Sequence, residues 1–248
     1  MSSDKPAENI IECSGLSMSF GSLKVLDGID LAVGAGENYG ILGPNGSGKT
    51  TVIRILCGLL KPTSGSVKVF GREVPDRRNN PFIGYMTQMD ALYNDLTVRE
   101  NVRFFASIYG LKGHEREKRI DEVLDVVRLA ERQDSVVSTL SGGMKKRASI
   151  ACVLAHRPRL MFLDEPTVGV DPKLRIQFWD YFRELNASGV TLIVTTHIMD
   201  EAERCQRLSF LREGRKLIEG APQYLKESAG AATLEEAYLH FSEGGHGR

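Results

Sequence analysis

The chain has 248 residues, 42% hydrophobic and 26% charged, which suits one or two soluble globular domains with a substantial core. Lysine plus arginine equals aspartate plus glutamate at 32 each, so no global basic field points to nucleic acid, and no apolar run approaches the roughly 20 residues that span a bilayer. Cys13, Cys57, Cys152 and Cys205 are widely spaced with no CxxC pair, which argues against a thiolate metal or redox centre and reads as reduced thiols of a cytosolic protein.

Met1 to Asn9 is polar and lacks the apolar core of a signal peptide. Ile10 to Phe20 and Val25 to Val33 alternate apolar and polar residues around a Gly21-Ser22 turn, predicting an antiparallel hairpin. Phe20 reads equally as a base-stacking aromatic or a core aromatic. Asn38 to Leu42 is a short buried strand, and Gly43-Pro44-Asn45-Gly46-Ser47-Gly48-Lys49-Thr50 follows it directly.

Those eight residues spell G-x-x-x-x-G-K-T, the loop that cradles the phosphates of a nucleoside triphosphate. Glycines let backbone N–H groups approach a polyphosphate without a Cβ in the way, and the helix that follows adds its positive end. Lys49 is placed to reach the β- and γ-phosphates, and the Thr50 hydroxyl to take one position on Mg²⁺. A glycine-rich turn without a ligand is the plainer alternative. The strand before the loop, and the helical spacing of Val52, Ile55, Leu56 and Leu59 after it, favour the phosphate loop.

Lys61 to Gly65 reads as a turn, Ser66 to Phe70 as a strand, Arg72 to Pro81 as a surface loop, and Phe82 to Thr87 as a strand ending at Gln88. Helices without strands then occupy 90–157. Thr97 to Glu100 is a capping box for a helix through Tyr109, closed by Gly110. Lys118 to Leu129 is amphipathic, with Ile120, Val123, Leu124 and Val127 on one face. A third helix starts after Ser141 and runs to His156. Buried parallel strands resume at Leu160 to Leu163 and Val190 to Thr195. Between them Asp171-Pro172 opens a helix whose stripe of Leu174, Phe178, Phe182 and Leu185, together with Trp179, reads as core. A hairpin over Leu208 to Leu211 and Lys216 to Glu219, a helix over Leu234 to Phe241 and a disordered Gly-rich end complete the chain.

Two carboxylates end the strand Leu160 to Leu163. Asp164 at its tip is placed to hold Mg²⁺ through water, and Glu165 is the natural base or orienter for an attacking water. His197 and Gln88, each beyond a strand end, are candidates to hold that water or the metal; a lone histidine is otherwise most often structural. Ser141-Gly142-Gly143 repeats the anion-binding chemistry of the phosphate loop at a second helix start, which would need a different phosphate, or the same one from another molecule.

The set GPNGSGKT, Gln88, LSGGM, LMFLDEP, Asp171 and His197, in this order, resembles the ATPase subunit of an ATP-binding cassette (ABC) transporter over about residues 10 to 225. That resemblance implies an α/β P-loop cassette fold: a mostly parallel core sheet, an N-terminal antiparallel β subdomain and an inserted helical subdomain over about 90–157. One domain would span 9–228, followed by a helix and flexible tail over 229–248. It implies ATP and Mg²⁺ as ligands, held by Phe20 (stacked on adenine), Gly43 to Thr50, Thr51 and, on the metal, Thr50, Gln88 and Asp164. Glu165, His197 and Gln88 would carry the catalysis. It further implies two cassettes, alike or different, packed head to tail. Ser141, Gly142 and Gly143 of one would then complete the site of the other, and Asp171 would couple the two sites.

A transmembrane permease subunit would be the partner, and the chain would sit peripherally on the cytoplasmic side of the cell membrane. Tyr85-Met86-Thr87-Gln88 and LSGGMKKR are similar to cassettes of drug, antibiotic, lipid or polysaccharide exporters. Departures from the family pattern are Met144, where glutamine is frequent, and Val168 and Val170, where serine and leucine are frequent. The competing readings are a soluble cassette ATPase acting on nucleic acid or ribosomes, and a P-loop kinase. The first usually shows paired cassettes, coiled-coil insertions or zinc modules, and the second lacks LSGGM; no nucleic-acid partner is expected.

Overall fold

The computed structural model describes residues 9–88 and 91–244; the polar N-terminal tail and the last residues of the Gly-rich end lie outside them. Two sheets form the frame. The first is antiparallel, in the order β2 (Leu23–Gly34), β1 (Asn9–Phe20), β4 (Ser64–Val69) and β5 (Arg72–Glu73). The second has six strands in the order β10 (Arg215–Gly220), β9 (Arg207–Arg212), β3 (Asn38–Leu42), β8 (Thr191–Thr196), β7 (Leu160–Asp164) and β6 (Ile83–Met86). All its pairings are parallel except β9 with β10.

Alternation along the parallel strands divides the core. Leu160 and Phe162 of β7, with Ile193 of β8, face helix α1 (Lys49–Leu56) and the antiparallel sheet. Met161 and Leu163, with Leu192 and Val194, face α2 (Val98–Ile108), α3 (Gly113–Val126), α4 (Gly142–Leu154) and α5 (Pro172–Ala187). Strands buried on both faces cannot alternate with polar residues, which is why β7 and β8 are nearly continuous apolar runs. Beyond α6 (Met199–Ala202), helices α7 (Pro222–Ala229) and α8 (Leu234–Ser242) close a third cluster with Leu208 and Phe210 of β9.

The parallel arrangement matters most for function. The register sets Leu42 beside Thr196, Asp164 beside Thr195 and Met86 beside Leu163. Four neighbouring strands therefore end together, and the phosphate loop, Gln88, Glu165 and His197 leave the sheet at one edge. Residues 32 to 154 apart in sequence converge because parallel strands point their C-terminal ends the same way.

Several expectations are corrected. The first helix ends at Leu56, because Gly58 turns left-handed at φ 73°, so Leu59 lies beyond it and is 62% exposed. Arg72 to Pro81 is not a plain surface loop: it carries β5 and most of a 3₁₀ turn over Arg77–Phe82. Asn79 is buried there, donating to the Val69 carbonyl at 3.0 Å and accepting from Arg72 at 3.1 Å. The α3 helix begins at Gly113, ahead of its apolar stripe, and α6 and α7 were not anticipated.

Asn101 of α2 is fully buried and holds the segment leading from Gln88 into the helices. Its amide donates to the carbonyls of Tyr93 (3.0 Å) and Thr97 (2.9 Å), and its oxygen accepts from the Tyr93 N–H (2.8 Å). Asn101→Ala removes these three bonds and leaves the Tyr93 N–H without its acceptor, while the Tyr93 and Thr97 carbonyls keep the backbone N–H groups of Leu96 and residue 101. It is expected to cost about 2 kcal/mol. In a thermal melt that is a fall of about 4–8 °C, and an unchanged midpoint would refute the role.

Candidate functional site

The phosphate loop turns from β3 into α1 through backbone that side chains would obstruct. Gly48 caps the helix at φ 105°, and a Cβ there would meet Leu26 Cδ2 at 2.6 Å. A Cβ on Gly43 would meet the Leu211 carbonyl oxygen at 2.2 Å. The loop opens onto a cavity of about 270 Å³ lined by Val25, Asn45, Gly46, Gly48, Lys49, Thr50, Thr51, Gln88 and Glu165. Val25 comes from β2, so the N-terminal sheet contributes to the rim. Phe20 ends β1 of the same hairpin and is 49% exposed, which removes the core alternative for it.

Lys49 is 5% exposed, and its Nζ donates to the Gly43 and Pro44 carbonyls at 2.8 and 3.0 Å. It also lies 3.3 Å from Glu165 Oε1. The same carboxylate oxygen is 3.2 Å from His197 Nδ1, and Glu165 Oε2 accepts from Gln88 Nε2 at 3.2 Å. Lys49, Gln88, Glu165 and His197 thus form one cluster around a buried carboxylate, as their strand ends require. Glu165 reaches it through a left-handed backbone, φ 50°, which costs a non-glycine residue about 1–3 kcal/mol. Its N–H, donating to the Thr195 carbonyl and approached by Thr195 Oγ1, both at 3.1 Å, holds that turn in place.

Asp164 is 1% exposed and accepts from Thr50 Oγ1 at 3.2 Å and from Thr195 Oγ1 at 2.6 Å. Its negative charge reaches Tyr85 of β6, whose phenol is pushed up to about 12, chiefly by burial and secondarily by Asp164. A hydroxyl and a carboxylate side by side, facing a phosphate loop, are the hard oxygen donors that suit Mg²⁺ shared with substrate phosphates. Ser47 Oγ is buried in the loop without a hydrogen-bond partner, a polar atom that a phosphate oxygen would satisfy. These residues fit a triphosphate with its metal ion.

The other predicted site residues lie elsewhere. Ser141 caps α4 by accepting from the Met144 N–H at 3.3 Å; Ser141 and Gly142 are exposed, and neither they nor Gly143 line the phosphate cavity. Asp171 caps α5 through the Leu174 N–H at 3.0 Å and is also exposed. Two contributors were not anticipated. Thr195 braces both carboxylate-bearing residues; two threonines ending the apolar run Leu192 to Val194 were the available signal. Lys146 of α4 donates to the Gln88 carbonyl at 2.9 Å, and nothing in its sequence neighbourhood marks it.

A family model described as ABC transporter matches residues 26–168. A probable multidrug ABC transporter ATP-binding protein of Escherichia coli (strain K12) is 39% identical over 241 residues, covering 94% of this chain and 42% of that protein. The chain therefore spans less than half the length of that relative. A Nod factor export ATP-binding protein I of Burkholderia lata is 41% identical over 231 residues, covering 92% of this chain and 76% of that protein. Among solved structures, an ATP-binding subunit of an ABC transporter superposes with a TM-score of 0.85 at 31% identity, covering 94% of this chain and 99% of that one. A dimeric ATP-binding cassette in a post-hydrolysis state, bound to ADP and Pi, superposes at 0.78 with 29% identity, covering 85% and 98%.

Proposed function

This chain belongs to the ABC transporter family, and from that premise we propose that it binds and hydrolyses ATP to power a transmembrane exporter, working as one of two paired cassettes. One observation carries the reading: the buried carboxylate of Glu165 sits at the phosphate loop with Lys49, Gln88 and His197 around it. That is the equipment for cleaving a phosphoanhydride with water.

Lys49 is held by two loop carbonyls and Glu165. A triphosphate in the loop competes for the ammonium, which then neutralises phosphate charge and leaves Glu165 to accept a proton. The water oxygen bonds to the γ-phosphorus, the bridging bond to the ADP oxygen breaks, and the water proton passes to Glu165. His197 and Gln88 hold the water and the carboxylate in line. Thr50 and Asp164 would hold Mg²⁺, which when bound offsets charge on the phosphate oxygens.

The pairing follows from what the single chain leaves open. The amide-rich start of α4 is exposed and away from its own phosphate loop, so it is available to the nucleotide of a second cassette. Ser141→Arg puts a bulky side chain at that contact. It is expected to abolish ATP-dependent dimers in gel filtration while a single chain still binds nucleotide; persistent dimers would refute the shared site.

The membrane partner is the third part of the reading. Among the described residues no helix is long and apolar enough to cross a membrane. Beside Gln88, a cleft of about 220 Å³ runs between α1, β6, α2 and α4, flanked by exposed Leu59 and Tyr109. A cleft lined by Thr87, the residue before Gln88, is where a permease segment would feel opening and closing. The exporter assignment rests on the similarity to the multidrug and Nod factor export relatives. Purification from solubilised membranes is expected to bring down an integral membrane protein and ATP-dependent phosphate release; co-purifying nucleic acid instead would favour the soluble-cassette alternative.

A further inference from the structure

We propose that Glu201, in the short helix α6, is a positioning residue that locks the loop carrying Glu165 and Asp171 to the turn carrying His197. The proposal rests on the hydrolytic reading above and assigns a role to a carboxylate that touches none of the nucleotide-cavity residues.

Glu201 is 1% exposed. Its Oε2 accepts from Thr196 Oγ1 at 2.6 Å, and its Oε1 accepts from Thr167 Oγ1. Both threonines are fully buried. Thr196 directly precedes His197, and its hydroxyl also accepts from the Ile198 N–H at 3.0 Å, so the turn at His197 is held on both sides. Thr167 lies between Glu165 and Asp171, in a turn closed by Val170 N–H donating to the Thr167 carbonyl at 3.1 Å. With His197 Nδ1 at 3.2 Å from Glu165, the connections close a ring: Glu165 to Thr167 along the chain, Thr167 to Glu201, Glu201 to Thr196, Thr196 to His197, and His197 back to Glu165. Arg175, on the first turn of the helix that Asp171 caps, brings its Nε to 3.9 Å from Glu201 Oε1 and ties that turn to the same carboxylate.

Stability alone does not explain a carboxylate here. Burial raises the Glu201 carboxyl above the usual carboxylate range, against the opposing pull of Thr196, Arg175 and Trp179. Buried charged groups can often be exchanged for packed apolar ones at no loss of stability. What an apolar side chain cannot do is accept two hydroxyls from two different loops at once. Glu201 joins the two sides of the Glu165–His197 contact through hydrogen bonds from one threonine on each side.

The test compares the full chain with E201A, E201Q, T167V and the double variant E201A/T167V, measuring kcat, the ATP dissociation constant and the melting temperature. Turnover is expressed per nucleotide-binding chain. E201A is expected to lower kcat about 10- to 100-fold, the range produced by small misplacements of catalytic groups, with ATP affinity retained. E201Q should recover most of the turnover, since a carboxamide can accept one threonine hydroxyl and donate to the other. T167V should lower kcat too, and the double variant should be no slower than E201A, because both cut the same connection. Where E201A does not fold, T167V and E201Q carry the test. Unchanged kcat in T167V and E201A, or additive losses in the double variant, overturn the positioning role while leaving ATP hydrolysis in place. A wild-type chain that binds but never cleaves ATP overturns both.

Discussion

Glu165→Gln is expected to lower ATP turnover by about 10²–10⁴-fold, the usual contribution of a positioned base, while ATP still binds. The exchange keeps the shape of the side chain, so the turn held by Thr195 and the hydrogen bond from Gln88 Nε2 to the remaining oxygen can persist. What disappears is the negative charge 3.3 Å from Lys49 and 3.2 Å from His197. A neutral amide cannot take the proton of the attacking water, so the proposed pair of cassettes would convert ATP to ADP only slowly. The variant should therefore accumulate as an ATP-bound dimer in gel filtration. Single-turnover phosphate release resolves the matter, and a rate equal to that of the unaltered chain would eliminate Glu165 as the base.

Lys49→Ala is expected to remove nucleotide binding and, with it, ATP-dependent pairing. A charge-assisted contact to phosphate is worth about 1.5–3 kcal/mol, or roughly a 10- to 100-fold loss of affinity for one such bond, and Lys49 can reach two phosphates. The structure adds a second consequence. Lys49 is a cation buried beside Glu165, and its loss removes that charge from the carboxylate and the ammonium donor from the Gly43 and Pro44 carbonyls, of which Pro44 keeps the Ser47 N–H. The loop should loosen even without ligand, and the melting temperature should fall in nucleotide-free solution. Equilibrium binding of a fluorescent ATP analogue checks the first effect. Dimers that still respond to ATP would show that the phosphate loop does not drive pairing.

Much of the site was legible from residue order because its chemistry is local. A glycine loop between a strand and a helix must present backbone donors, and Lys49 and Thr50 follow it directly, so their roles need no tertiary knowledge. The carboxylate pair Asp164–Glu165 after an apolar strand is legible for the same reason. Elements with strong local signals also came out in place: the Thr97 capping box, Ser141 as the cap of α4 and Asp171 as the cap of α5. Where local signals are weak, at the end of α1 and in the 72–81 segment, the structure departs from what residue order predicts. Asn79 is polar by type, and only the folded chain shows that its burial satisfies a strand carbonyl.

By itself the sequence determined the phosphate loop, the strand-and-helix alternation, the family motifs and the identity of the candidate base. Only the tertiary structure decided which of these residues act together. Parallel pairing of β3, β8, β7 and β6 brings four strand ends to one edge, and so puts Lys49, Gln88, Glu165 and His197 in contact. It also set Ser141 and Gly142 on an exposed helix start away from that edge, and revealed Thr195 and Glu201 as the braces behind it. The physical reason is range. Backbone conformation and capping depend on a few neighbouring residues, whereas a hydrogen bond between side chains far apart in sequence exists only once strand register has fixed their distance.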